Sequence, residues 1–325
     1  MRAIGLTQGN KASFRRKGII VLGLNPAWQK ILTFPELITG GINRALSVSY
    51  SPAGKGINFA KAAKTWGTEV TVCQFLGGVT GENIIRELKT RKIRDISVKV
   101  TAPTRTCTTC LSENKEEATE LIEPASQVSP SAAKALKRAV MDNLPFCTGV
   151  SMCGTYPKGV GPDFYADIAA AARKNGIPVL LDGFVGIRET LEQGVEILKV
   201  NRTEFTGITG EDDIYKAAKY FFRKYDVKSV AITSGHSTSY LFDRNGSYEF
   251  SLPHTDGIIN PIGAGDAVSA VFFCELLKGN PPHESFRLAL GAGTASCMNL
   301  FPAEFKVGEA REIADKIRCV KKGRS

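Results

Sequence analysis

The stretch NPIGAGDAVSA, residues 260–270, sets two glycines around an alanine and follows them at once with an acid. The residues after Asp266 are good helix formers, so the pattern predicts a helix that starts at residues 263–266. The first backbone N–H groups of a helix lack intrahelical acceptors, and the helix dipole is positive there, which suits a phosphate. Gly263 and Gly265 let the backbone approach such a ligand closely. Asp266 would repel that phosphate unless its carboxylate acted on something beside it.

Outward from this stretch, apolar strand-like runs alternate with amphipathic helical ones. Strands are predicted over 19–24, 70–76, 150–153, 178–182, 197–200 and 229–233. Helices are predicted over 56–66, 81–92, 129–144, 162–175, 186–193, 212–225, 263–278 and 283–298. Ser129 followed by Pro130 caps the helix at 129–144. Buried strands alternating with helices imply an α/β fold, doubly wound on a mostly parallel sheet with helices on both faces. Two segments, about 28–53 and 94–123, carry β-type alternation without an intervening helix. They are expected to pair into a small antiparallel lid on one edge of a single domain spanning 18–322.

With 325 residues, 43% hydrophobic and 23% charged, the chain has the composition of a globular protein with a large core. No apolar run approaches the roughly 18 residues of a membrane span, so no membrane partner is expected. The net charge of +10 has no aromatic-interleaved basic stripe behind it, and no nucleic-acid partner is expected. Part of the excess lies at the ends: Lys11, Arg15, Arg16 and Lys17, then Lys321, Lys322 and Arg324. Residues 1–17 contain no acid and no apolar signal core, and are expected to form a disordered basic extension. Eight scattered cysteines read as free structural thiols in a reducing, cytoplasmic setting. Cys107 and Cys110, three apart in a strand-like run, would point to opposite faces, and with three histidines a zinc site is not expected.

Ligands of doubly wound sheets sit beyond the carboxyl ends of the strands. A dinucleotide fingerprint fails because no third small residue follows Gly263 and Gly265 at the needed place. A Walker A loop fails as well, since Gly54 and Lys55 are followed by Gly56 instead of Ser or Thr. What remains is a set of small-residue turns at strand ends. These are Gly54 to Asn58, Gly154 with Thr155, Lys199 through Asn201 to Glu204, Thr233 with Gly235, and Gly263 to Asp266.

In order and spacing these turns resemble the ribokinase-like sugar kinases of the phosphofructokinase-B family, over nearly the whole chain from Gly18. The similarity is greatest to the branch acting on fructose 1-phosphate and tagatose 6-phosphate. It rests on Asn25-Pro26-Ala27, Asn43-Arg44, Gly54 to Asn58, Thr104-Arg105, Gly154-Thr155 ahead of Pro157, Lys199/Asn201/Glu204 and the intact Gly-Ala-Gly-Asp.

The resemblance implies that Gly263, Ala264 and Gly265 form an anion hole for the transferring phosphoryl group, and that Asp266 is the base for the attacking hydroxyl. It implies that Arg44, Lys55 and Arg105 face a phosphate already on the sugar, and that Gln29, Gly54, Asn58 and Thr155 line the sugar. Lys199, Asn201, Glu204, Thr233 and Gly235 would lie on the nucleotide side, with Glu204 reaching Mg²⁺ through water. ATP and Mg²⁺ are the implied cofactors, a sugar phosphate the implied partner, and a homodimer through the lid the implied assembly.

Three positions depart from the branch. Gln29 stands where an aspartate usually does, Ala53 where many members have glycine, and Pro261 where threonine is usual. These bear on which sugar is used. Fructose 1-phosphate is the leading substrate. Tagatose 6-phosphate, fructose 6-phosphate, an unphosphorylated sugar, or a sugar-phosphate-binding regulator with weak catalysis are the alternatives.

Overall fold

β1 (Ile19–Leu22) is buried along its whole length. It sends Ile19 and Val21 into one apolar cluster, and Ile20 and Leu22 into a second cluster on the other face. That two-sided burial is what a parallel strand between helical layers requires. The computed structural model describes residues 16–114, 117–244 and 246–323. The expected N-terminal extension therefore lies, up to residue 15, outside the described residues. Arg16 and Lys17 are described, and donate to the carbonyls of Asn175 and Phe146.

The remaining strands are β2 (Ala27–Phe34), β3 (Ser47–Ala53), β4 (Val70–Leu76), β5 (Arg94–Lys99), β6 (Thr106–Ser112) and β7 (Glu117–Ile122). Then come β8 (Gly149–Cys153), β9 (Val179–Asp182), β10 (Val195–Asn201), β11 (Val227–Thr233), β12 (Ser239–Asp243), β13 (Gly246–Ser251) and β14 (Arg318–Lys322). The helices are α1 (Lys55–Thr65), α2 (Gly78–Thr90), α3 (Pro130–Asn143), α4 (Asp163–Lys174) and α5 (Arg188–Glu192). They continue as α6 (Arg202–Thr209), α7 (Ile214–Lys224), α8 (Ala264–Leu277), α9 (Pro282–Cys297) and α10 (Val307–Lys316).

Ten strands form the main sheet in the order β14-β13-β12-β11-β10-β9-β8-β1-β4-β5. Pairing is parallel from β5 across to β11 and antiparallel from β11 to β14. Strand order reverses beside β1, where β4 lies on one side and β8 on the other, and such a switch point opens a crevice at the strand ends. α8 is buried from Asp266 to Glu275, so its N-terminus is delivered to the carboxyl end of the sheet from inside the core.

A four-stranded sheet, β3-β2-β6-β7, forms the lid. Along β2, Ala27, Gln29 and Ile31 are buried while Trp28 and Lys30 are half-buried, the period-2 pattern of a one-sided sheet. Two expectations need correction. The lid is mixed and not antiparallel, because β2 pairs in parallel with β6. Its second segment also starts later than residue 94, because β5 joins β4 at the edge of the main sheet. Strand alternation reads the same in either sheet, and only the long-range partner decides between them. Among the described residues, all eight cysteines are free and no helix is long and apolar enough to cross a membrane.

Candidate active site

The end of β1 and the start of α1 touch backbone to backbone. A Cβ on Gly56 would lie 2.5 Å from the Gly23 Cα, so only glycine allows this approach. The contact sets α1 against the switch point and aims Lys55 and Asn58 toward α8. Asn58 Nδ2 donates to Asp266 Oδ2 at 2.8 Å. Lys55 Nζ lies 2.8 Å from Asp182 Oδ1 and 3.6 Å from Asp266 Oδ1. Asp182, the last residue of β9, also accepts from Ser269 Oγ at 2.5 Å. Two buried carboxylates thus share one ammonium.

Their environments push them apart. Burial raises the Asp266 carboxyl; Lys55 opposes that, and the neighbouring Asp182 charge adds to it, leaving it above the usual range. Asp182 is as deeply buried, but Lys55 and Lys199 outweigh the burial and hold it below the usual range. For Lys55, burial works against the charge, yet Asp182 and Asp266 dominate and keep the ammonium protonated. Of the two acids, Asp182 is thus held the more acidic and Asp266 the more basic.

Gly263 precedes α8 with φ 82°, and no side chain caps the helix. A Cβ there would meet Pro302 Cβ at 2.8 Å and the Ala303 amide at 2.9 Å, so both conformation and space require glycine. The amides of Gly265 and Asp266 have no intrahelical acceptor at this end. Lys199, buried on β10, brings its Nζ within 2.8 Å of where a Gly265 Cβ would sit. The anion-facing turn therefore has a lysine beside it.

Two cavities open in this region, one at the turn and one beside Lys55. One, of about 210 Å³, is lined by Gly23, Asn25, Lys55, Arg105, Gly154 and Thr155, among others. The other, of about 680 Å³, is lined by Thr233, Gly235, Leu252, Ala264, Gly265 and Thr294, among others. The smaller is bordered by cations and polar groups, and the larger is mainly apolar with small residues at the α8 end.

The structure brings together most residues singled out in the sequence. Thr155 takes both a side-chain and a backbone bond from Asn25 Nδ2, at 2.9 and 3.0 Å. Arg105 donates to the carbonyls of Asn25 and Glu123, which ties the lid base to the smaller cavity. Gly54 precedes α1 with φ 99°. Asn201 and Glu204 cap α6 reciprocally at 2.8 Å each, and Glu204 Oε1 accepts no hydrogen bond among the described residues. Gln29 is buried in the lid and donates from Nε2 to Thr109 Oγ1 at 2.6 Å, lining neither cavity. Arg44 is exposed on the connection between β2 and β3 and also lines neither. Asp182 escapes the sequence reading, as does Asn25 as a side chain. An acid closing an apolar run such as Val179 to Asp182 is the signal that could have found the first.

A buried carboxylate at the helix start behind the Gly263–Gly265 turn, on a ribokinase-like fold, is the arrangement of a sugar kinase. The pfkB family carbohydrate kinase pattern matches residues 27–300, and the chain belongs to that family. A tagatose-6-phosphate kinase of Staphylococcus epidermidis is 24% identical over 310 residues, covering 93% of this chain and 99% of that one. The fold is shared with a chain from Thermotoga maritima described as "Possible 1-phosphofructokinase" (TM-score 0.82, 20% identity, 94% of this chain and 99% of that one). An Arabidopsis thaliana ribokinase complexed with ribose and ATP also shares it (TM-score 0.73, 19% identity, 92% and 99% covered).

Proposed function

We propose that the protein transfers the γ-phosphoryl group of ATP to a primary hydroxyl of a ketohexose phosphate, with fructose 1-phosphate as the leading acceptor. The observation that carries this reading is Asp266, buried against Asn58 and Lys55: Lys55 lines the polar cavity, and Ala264 and Gly265, just before Asp266, line the larger apolar one. The polar cavity fits the sugar phosphate and the apolar one the nucleotide. Resemblance to the tagatose 6-phosphate and fructose 1-phosphate branch, and the names of two relatives, support a phosphorylated ketohexose.

In this reading Asp266 accepts the proton of the attacking hydroxyl as the oxygen closes on the γ-phosphorus. The Gly263–Gly265 turn and the first α8 amides stabilise charge on the phosphoryl oxygens, with Lys55 and Lys199 adding positive charge. Asn58 orients the Asp266 carboxylate. Arg105 and Thr155 face the acceptor, and Thr233 and Gly235 line the nucleotide. Among the described residues no cluster of three or more His, Cys, Asp or Glu is placed to hold a metal ion. One unbonded Glu204 oxygen suits a Mg²⁺ that keeps its waters and rides on the nucleotide phosphates. Glu204 would hold such a Mg²⁺ through water, and the ion would supply charge neutralisation for the nucleotide phosphates.

Exposed Leu46, Val48, Tyr50, Leu121 and Ile122 on the lid support a homodimer through that sheet, which light scattering on a sizing column would test.

The reading as a whole is tested by ADP release over a panel of hexose phosphates, free hexoses, pentoses and nucleosides. It predicts turnover with fructose 1-phosphate or tagatose 6-phosphate above the rest. Faster turnover of a free sugar or nucleoside would overturn the phosphorylated acceptor.

A further inference from the structure

A row of polar side chains crosses one face of the lid. Ser51 on β3 stands opposite Gln29 on β2. Gln29 Nε2 donates to Thr109 Oγ1 on β6 at 2.6 Å, and Thr109 stands opposite Glu120 on β7. Residues directly opposite in an antiparallel pair share a face, so each of the four strands gives one polar group to the same side. Around the row that face is apolar: Ala27, Ile31, Ala53 and Leu111 are buried on it. Polar groups in such a setting are costly unless they are bonded. Ser51 is buried, and its Oγ has no partner among the described residues.

The row stands over the acceptor end of the site. β2 and β6 start, and β3 ends, within two residues of Asn25, Arg105 and Lys55, all of which line the smaller cavity. Glu120 closes the row with a charge. Partial shielding from water raises its carboxyl above the usual range, the Asp266 charge adds to the rise, and Arg105 opposes it.

We propose that this row reads the hydroxyl groups of the acceptor, and that Glu120 is its specificity-determining residue, accepting a hydrogen bond from a hydroxyl other than the one phosphorylated. The proposal rests on the kinase reading with a sugar phosphate as acceptor. An ionised carboxylate only accepts hydrogen bonds, which suits a hydroxyl, and its bond is charge-assisted. It also repels a phosphate, so the phosphate of the acceptor lies toward Arg105 and Lys55, and the hydroxyl-bearing carbons lie toward Glu120.

The experiment takes the wild type's best acceptor from a hexose phosphate panel and measures kcat and KM for it and for ATP, in the wild type and in Glu120→Gln. Monodeoxy analogues of that acceptor, each lacking one hydroxyl away from the reacting carbon, are measured with both proteins. Glu120→Gln should raise KM for the acceptor roughly tenfold, with KM for ATP within about twofold. One monodeoxy analogue should lose this sensitivity and give the two proteins equal KM values. An unchanged acceptor KM in Glu120→Gln overturns the proposal. So does an equal rise with every analogue, because a residue that only shapes the lid weakens all of them together. Glu120→Ala serves the same comparison if Glu120→Gln does not fold. A wild type that turns over no sugar phosphate defeats the kinase reading, whereas an active wild type beside an indifferent Glu120→Gln defeats only the role of Glu120.

Discussion

Asp182 and Asp266 share a single ammonium: Lys55 Nζ stands 2.8 Å from the first and 3.6 Å from the second. The two carboxylates come from elements far apart in sequence, the end of β9 and the first turn of α8, and Ser269 binds Asp182 one turn beyond Asp266. The proton affinity of Asp266 is therefore set by a balance of its burial against Lys55, with the Asp182 charge on the other side.

That balance gives two shifts of opposite sign. Asp182→Asn removes a negative charge that raises Asp266, so the acid limb of kcat should move to lower pH. Lys55→Met removes a positive charge that lowers it, so the limb should move to higher pH. Each shift should be roughly one to two units. A kcat–pH profile of both variants checks this, and shifts in the same direction would contradict the arrangement.

Much of this site is legible in the amino-acid sequence. The turn at Gly263 to Asp266, the helix it opens and the strands ending at Cys153, Asn201 and Thr233 follow from local spacing and apolar runs. Asp182 does not, because a lone acid after Val179-Leu180-Leu181 also reads as an ordinary strand end. Its meaning depends on Lys55, 127 residues away, and on Ser269, 87 residues away. The parallel β2–β6 pairing and the transfer of β5 to the main sheet are likewise long-range choices that alternation leaves open. β14 is hidden for another reason: Arg318 to Lys322 is charged and partly exposed at the sheet edge, so it reads as a basic tail.

Arg105 spans the lid base and the smaller cavity. Its guanidinium donates to Asn25 O at 3.1 Å and Glu123 O at 3.3 Å, and its Nε has no partner among the described residues. Arg105→Ala should raise KM for a phosphorylated sugar far more than KM for ATP, by a charge-assisted contact worth ~1.5–3 kcal/mol. Initial-rate kinetics with each substrate varied in turn decide it. Equal rises in both would mean that the arginine only fastens the lid.

Gln29 commits its amide to Thr109, which leaves one accepting oxygen where relatives of this branch offer a carboxylate. Gln29→Asp would let Thr109 donate to one oxygen and leave the second for a sugar hydroxyl. Fructose 1-phosphate and tagatose 6-phosphate should remain the best acceptors of the wild type, but should turn over below the rate that an acid at this position allows. The substitution should raise kcat/KM about tenfold, near ~1.5 kcal/mol for one charged hydrogen bond. Side-by-side kinetics on both sugars test this. A fast wild type that Gln29→Asp slows on both would make glutamine the fitted residue.

The central claim is that Asp266 takes the hydroxyl proton, and kcat of Asp266→Asn measures it most directly, with ATP affinity determined in parallel by calorimetry. Asparagine keeps the shape and can still meet Asn58, but it cannot accept the proton at neutral pH. The expected result is a fall in kcat of roughly 10²- to 10⁴-fold with ATP affinity preserved. A variant that binds ATP normally and keeps more than half the wild-type rate would contradict it.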